Sequence, residues 1–168
     1  NPAQKVGDII GRPLTFFHGM KGEQQRARVA ELLALVQLPA ELADRKCGAL
    51  SGGQKQRINL ARALAAEPSV ILCDEVTSAL DTVVAAAILE LLKDLQTKLN
   101  IAIVFISHDI PTVRTLCDDV LVLYKGNAVE YASGEAVSTA PSHDYTKKLV
   151  ASVPTLDPGW LDSRPPAA

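Results

Sequence analysis

Two short apolar runs constrain this chain more than any other feature. Residues 70–73 (Val-Ile-Leu-Cys) and 101–106 (Ile-Ala-Ile-Val-Phe-Ile) are continuous, rich in β-branched side chains and bounded by polar residues. That is the pattern of strands covered on both faces. Between them, residues 83–98 place Val84, Ile88, Leu91, Leu92 and Leu95 at three- and four-residue steps, the period of an amphipathic helix. A strand–helix–strand succession of this kind predicts a parallel pair joined by a crossover. The fold class is therefore α/β.

Each run ends in polar groups suited to chemistry. The first ends in Asp74-Glu75 and the second in Ser107-His108-Asp109. In a parallel sheet both sets emerge at the carboxyl edge, where open α/β sheets bind ligands. Two adjacent carboxylates there can divide the work: Asp74 as a hard oxygen ligand for Mg²⁺, and Glu75 to polarise an attacking water. His108 suits contact with a phosphate that gains charge during transfer. Taken singly, each has a plainer reading. An acid pair after a strand also serves as a helix cap or solvated turn, and a lone histidine is more often a hydrogen-bonded structural one.

Upstream, residues 50–57 read Leu-Ser-Gly-Gly-Gln-Lys-Gln-Arg and open a helix that extends to about residue 66, before Pro68. Ser51 is the expected N-cap. A helix start offers unpaired N–H groups and partial positive charge, which suit an anion. Gly52 and Gly53 remove side chains that would keep the backbone away from it. An N-capped amphipathic helix with no ligand is the competing reading.

The remaining segments frame these motifs. Residues 1–22 hold Pro2, Gly7, Gly11, Pro13, Gly19 and Gly22 and read as a loop with short apolar pieces. Residues 23–38 read as a helix on Val29, Leu32, Leu33 and Val36, stopped by Pro39, with a short helix at 40–44 after it. Asp109-Ile-Pro111 reads as a helix start reaching about Cys117. Lys125-Gly126-Asn127 is read as the turn of a hairpin between residues 120–124 and 128–131. Residues 142–151 form a last helix. The expected domains are a helical segment at 1–66, an α/β segment at 67–153 and a tail at 154–168.

Composition excludes several alternatives. A net charge of −2 and the lack of basic patches argue against nucleic acid. The apolar runs are too short and too interrupted by charge to cross a bilayer. Cys47, Cys73 and Cys117 are odd in number and without C-x-x-C spacing, which fits neither a disulfide framework nor a zinc site and suits a reducing cytosol. Cys73 is expected to be a buried free thiol.

The motifs together resemble one family. Leu50-Ser-Gly-Gly-Gln54 looks like the signature of ATP-binding cassette (ABC) ATPases, and Val70-Ile-Leu-Cys-Asp-Glu75 resembles their Walker B strand. Ser78-Ala-Leu-Asp81 resembles the D-loop, and Ile106-Ser-His-Asp109 the switch loop. The match spans essentially the whole chain. Within the family it is closest to the ATPase subunits of oligopeptide and dipeptide importers, through Asn1-Pro2, Val6-Gly-Asp-Ile-Ile10, Pro13-Leu14, Pro141-Ser-His-Asp-Tyr-Thr146, Leu149-Val150 and Val153-Pro154. Leu156-Asp-Pro-Gly-Trp160 also resembles the second half of fused two-cassette proteins.

The resemblance implies a partial P-loop NTPase: a helical subdomain, then parallel-sheet βα units, then a C-terminal hairpin and helix. It implies ATP and Mg²⁺ as ligands, with a second ABC ATPase subunit or cassette and transmembrane permease subunits as partners. Ser51, Gly52, Gly53 and Gln54 would touch the partner's nucleotide. Asp74 (Mg²⁺), Glu75 and His108 (catalysis) would serve the chain's own nucleotide, and Asp81 would link the two sites. The helical subdomain and the stretch around residues 1–20 would meet the permease at the cytoplasmic face of the membrane. Phe16 and Phe17 fit that contact or, as adjacent aromatics more often do, a core.

No G-x-x-x-x-G-K-[ST] occurs in the 168 residues, and the family's adenine-stacking aromatic and Q-loop glutamine are also absent. The sequence begins with Asn1 and shows no signal peptide, which reads as the C-terminal portion of such a subunit. Val76 stands where the family usually has proline, and Cys47-Gly-Ala49 replaces the usual approach to the signature; neither position supplies a catalytic group. Alternative readings are an ABC ATPase that moves no solute, and a degenerate regulatory partner with no activity of its own.

Overall fold

A computed structural model describes residues 1–153. The resemblance to the second half of two-cassette proteins (Leu156–Trp160) and the tail at 154–168 lie outside the described residues. The chain forms two compact units that divide between Ile106 and Ser107.

The first unit opens with a helix rather than the expected loop. Helix α1 spans Val6–His18 and α2 spans Gly22–Leu35. Val6, Ile10 and Leu14 recur at four-residue steps on α1 and are fully buried. The glycines that suggest turns have other uses. Gly11 lets α2 approach, since a Cβ there would lie 3.0 Å from the Gln25 side chain. Gly19 ends the helix at φ +66°, its N–H reaching back to Thr15 O at 3.1 Å, a left-handed glycine stop. Pro13 is accommodated inside the helix.

Helix α2 buries Val29, Leu32 and Leu33, and ends before Gln37, whose φ of +57° breaks the helical path expected to reach residue 38. A 3₁₀ turn at Ala40–Asp44 buries Leu42. Helix α3, Gly52–Leu64, packs Ile58, Leu60, Ala61 and Leu64 into the same core. Polar bonds pin the three helices. The Gln25 amide donates to Gly11 O at 2.9 Å, and the Arg57 guanidinium donates to Val36 O at 3.0 Å and Gln37 Oε1 at 2.9 Å.

Strand β1 (Val70–Asp74), helix α4 (Thr82–Leu99) and strand β2 (Ala102–Ile106) follow as expected. The strands are parallel, in a register that pairs Val70 with Ala102 and Asp74 with Ile106. Ile71 and Cys73 are buried in the cluster that holds Ile88, Leu91, Leu92 and Leu95 of α4. Burial raises the pKa of the Cys73 thiol, so it behaves as an inert apolar group.

The expectation that both strand faces are covered is not met. On the opposite face Leu72 is 66% exposed, with Val70, Val104 and Ile106 each about half exposed. A continuous apolar run reports that both faces suit an apolar neighbour; it does not report whether the neighbour is present. Among the described residues β1 and β2 pair only with each other.

The second unit begins at Ser107. It contains α5 (Ile110–Leu116), an antiparallel hairpin β3 (Asp119–Tyr124) and β4 (Asn127–Ser133), α6 (Gly134–Thr139) and α7 (Asp144–Ala151). Lys125 and Gly126 form the turn with φ +49° and +80°, the left-handed pair that matches strand twist. Helix α6 has no periodic signature in the sequence; it is one and a half turns long, capped by Ser133, and buries Val137. The Glu130 carboxylate accepts from the Ser142 N–H at 2.7 Å, the His143 N–H at 3.0 Å and the Ser142 hydroxyl at 2.9 Å. The Ser142 N–H first, then the nearby Thr146 hydroxyl and the His143 N–H, lower its pKa to about 2. Tyr124 stacks on Tyr145 with centroids 4.1 Å apart.

All three cysteines are free thiols. Among the described residues no helix is long and apolar enough to cross a membrane.

Candidate functional site

The candidate residues stand at element ends, where backbone groups lack partners within their own helix or strand. Asp74 is the last residue of β1 and is exposed. Alternation along the strand puts it on the same face as Val70 and Leu72, the uncovered one. Glu75 continues the pairing by one step, its N–H donating to Ile106 O at 3.0 Å. The chain then turns sharply. Glu75 adopts φ +48°, a left-handed backbone that costs a non-glycine residue roughly 1–2 kcal/mol. Ser78 holds that turn, donating from its N–H (3.2 Å) and its hydroxyl (2.9 Å) to Glu75 O. A strained acid at the carboxyl end of a parallel strand is the kind of outlier that marks functional positions. Val76, where the family has proline, is half-buried against the core.

Ser51 caps α3 through a reciprocal box. The Gln54 N–H donates to Ser51 Oγ at 3.2 Å, and the Ser51 N–H donates to Gln54 Oε1 at 3.1 Å. Both side chains are thereby held at the helix start, while Ser51 and Gly52 remain exposed. Asp81 caps α4 without a returning bond, accepting from the Val84 N–H at 3.0 Å. The sequence points to Asp81 by resemblance alone; its capping role is visible only in the fold.

The structure brings two of these segments together. A Cβ on Gly52 would touch Leu80 at 3.4 Å, and one on Gly53 would lie 2.6 Å from Val84 Cγ1. The Ser51–Gln54 helix start therefore lies against the Ser78–Asp81 segment and the first turn of α4. Nothing in the sequence marks Val84 as a site residue; it reads there as one more member of an apolar stripe.

His108 belongs to the second unit, two residues beyond the end of β2, and is exposed. Its neighbour Asp109 precedes α5, and the Asp109 N–H donates to Ser107 Oγ at 3.1 Å. The Asp109 carboxylate accepts from the Thr112 hydroxyl rather than capping the α5 backbone.

Phe16 and Phe17 are not core residues. They pack edge to face at 4.9 Å and are 82% and 61% exposed, in the last turn of α1 beyond the buried Val6, Ile10 and Leu14.

Among the described residues no group of three or more His, Cys, Asp or Glu is placed to cage a metal. The donor chemistry available, a single exposed carboxylate with another beside it, fits Mg²⁺. That ion keeps several waters and takes one or two carboxylates together with substrate phosphates.

Residues 2–78 match the family profile described as ABC transporter. The dipeptide transport ATP-binding protein DppF of Haemophilus influenzae is 40% identical over 164 residues, which are 98% of this chain and 50% of that protein. The oligopeptide transport ATP-binding protein OppF of Escherichia coli is 42% identical over 159 residues, 94% of this chain and 48% of that one. The chain thus spans about half the length of the curated relatives it matches.

Two solved structures share the fold. A putative metal-chelate type ABC transporter in an inward-facing conformation superposes with a TM-score of 0.74 at 32% identity, covering 82% of this chain and 55% of that one. A dimeric ATP-binding cassette in a post-hydrolysis state, bound to ADP and Pi, gives 0.68 at 35% identity, covering 79% and 58%. Parallel strands ending in an acid pair, a capped Ser-Gly-Gly-Gln helix start, and these likenesses in sequence and structure place the chain in the ABC transporter ATPase family.

Proposed function

We propose that this chain works within the ATP-binding subunit of an ABC importer, coupling ATP binding and hydrolysis to the uptake of peptide-like solutes. The observation that carries the reading is the end of β1. There Asp74 and Glu75 leave a parallel strand at the ligand-binding edge, in a backbone turn tight enough to force Glu75 into a left-handed conformation. The resemblance to peptide-transport ATP-binding proteins supplies the solute class.

In this reading Asp74 binds the Mg²⁺ that accompanies ATP, and Glu75 orients and polarises the attacking water. His108 contacts the transferring phosphoryl group. Mg²⁺, when bound, supplies charge neutralisation at the phosphates. Ser51, Gly52, Gly53 and Gln54 face the nucleotide held by a partner cassette. Their side chains are already fixed by the capping box, so little ordering cost falls on binding. Asp81 links the two nucleotides by fixing the start of α4. Phe16 and Phe17 dock on the permease, which holds the subunit at the cytoplasmic membrane face.

The 168 residues contain no G-x-x-x-x-G-K-[ST] loop. The loop that cradles the β- and γ-phosphates in such ATPases is therefore not supplied by these residues, and the acid pair without it repels them. It is expected to hydrolyse no ATP alone, but to be captured in an ATP-dependent manner by a cassette that carries such a loop. Immobilised Walker A-bearing cassette with ATP tests this. Gly52→Glu, which sets a carboxylate at the helix start, should abolish capture. Capture that ignores both ATP and Gly52→Glu, or ATP turnover by the chain alone that vanishes in Glu75→Gln, overturns the reading.

A further inference from the structure

Gly52 and Gly53 invite one explanation, that both clear space for a bound phosphate. Their surroundings differ. A Cβ on Gly52 would make ordinary contact with Leu80 Cδ2 at 3.4 Å. A Cβ on Gly53 would fall 2.6 Å from Val84 Cγ1 and 3.9 Å from Val84 Cβ. Carbon pairs rest at about 3.5–4.0 Å, so an alanine here must push the two helices apart by roughly 1 Å. Val84 has little freedom to yield. It sits in the first turn of α4, and a β-branched side chain in a helix has one strongly preferred rotamer.

We infer that Gly53 is a seat for Val84, and that Val84 is a positioning residue which locks the starts of α3 and α4 into one body. Each start carries its own cap. Ser51 Oγ holds the Gln54 N–H at 3.2 Å, and Asp81 Oδ1 holds the Val84 N–H at 3.0 Å. The residue that closes the second cap with its backbone is the one whose side chain fills the seat beside the first. A shift of the Asp81 segment is thereby delivered to Ser51 through a contact of branched carbon on bare backbone. This rests on the reading of Ser51–Gln54 as a nucleotide-facing segment; the lock itself is a property of the chain alone.

The test uses the whole chain with Gly53→Ala, Val84→Ala, the double substitution and Gly52→Ala. Amide hydrogen exchange reads the two capped amides, Gln54 and Val84. Gly53→Ala should speed exchange at both by about tenfold, the double variant should restore both, and Gly52→Ala should leave the Val84 amide unchanged. ATP-dependent capture by a Walker A-bearing cassette should fall at least about tenfold in Gly53→Ala and return in the double variant.

If the Cβ at 53 instead obstructs the nucleotide directly, Val84→Ala restores neither capture nor exchange, and the lock is refuted. Faster exchange confined to Gln54, or equal effects of Gly52→Ala and Gly53→Ala, refutes it as well. Failure of the unsubstituted chain to be captured counts against the functional reading only, because the exchange measurement still decides the lock without nucleotide.

Discussion

Helix α1 divides its side chains between two tasks, and substitutions should separate them. Ile10 is fully buried among Val6, Leu14 and the α2 residues, so Ile10→Ala removes buried methylenes and leaves a cavity. For such sites the cost is about 2–5 kcal/mol, and a central figure of about 3 kcal/mol is expected here. Phe16 and Phe17 are 82% and 61% exposed, so Phe16→Ala and Phe17→Ala should each change stability by less than about 0.5 kcal/mol. Their effect should appear in docking. Burying a phenylalanine that is otherwise in water contributes about 2 kcal/mol, which is close to a thirtyfold change in Kd per ring. Urea denaturation followed by far-ultraviolet circular dichroism gives the first quantity. Binding to permease-containing nanodiscs gives the second. If Phe16→Ala destabilises the fold as much as Ile10→Ala, the division of α1 into buried and exposed side chains is wrong. If the double Phe variant binds the permease as tightly as the parent, the aromatic pair does not dock there.

Three further outcomes are expected. Asp81→Ala removes the α4 cap and should cost about 1 kcal/mol in urea denaturation, while Asp81→Asn retains most of that stability; equal losses would show that the cap contributes nothing. Glu130 has its pKa lowered to about 2, so its bonds to Ser142 and His143 contribute stability that is fully present above the unfolded value of about 4.5 and is lost as pH falls toward 2. Exchange protection of the Ser142 and His143 amides should follow that window and lose its pH dependence in Glu130→Gln; a flat profile in the parent would count against it. Leu72→Lys and Val104→Lys place charges on the uncovered strand face and should reduce self-association in light scattering. Unchanged scattering would mean that this face does not drive self-association.

Much of the fold is legible in the sequence because two periods are cleanly written. The β-branched runs at 70–73 and 101–106 flank a 3.6-residue stripe at Ile88, Leu91, Leu92 and Leu95, which leaves few arrangements besides a parallel pair. Lys125-Gly126 announces its hairpin through the one turn type that suits twisted strands. Helix α1 is hidden because Gly7, Gly11 and Pro13 carry breaker character, whereas Val6, Ile10 and Leu14 are too sparse a stripe to outweigh them locally. Tertiary contact decides the matter: Gly11 is where Gln25 comes close. Helix α6 is too short to show a period. At the site, the Ser51–Gln54 box is half visible, as a capping serine three residues before a glutamine. The seat at Gly53 is not, because it depends on a side chain 31 positions away in the chain.

Asp74 shares one strand face with Val70 and Leu72, and that face is open to water. Any element that shields those apolar neighbours also displaces solvent from around the carboxylate. Coulombic attraction between Asp74 and a cation would then strengthen severalfold, since it scales inversely with the effective dielectric, about 80 in water and about 20 in a partly enclosed site. Covering this strand face and strengthening any hold of Asp74 on a cation would, for this strand, be a single physical event.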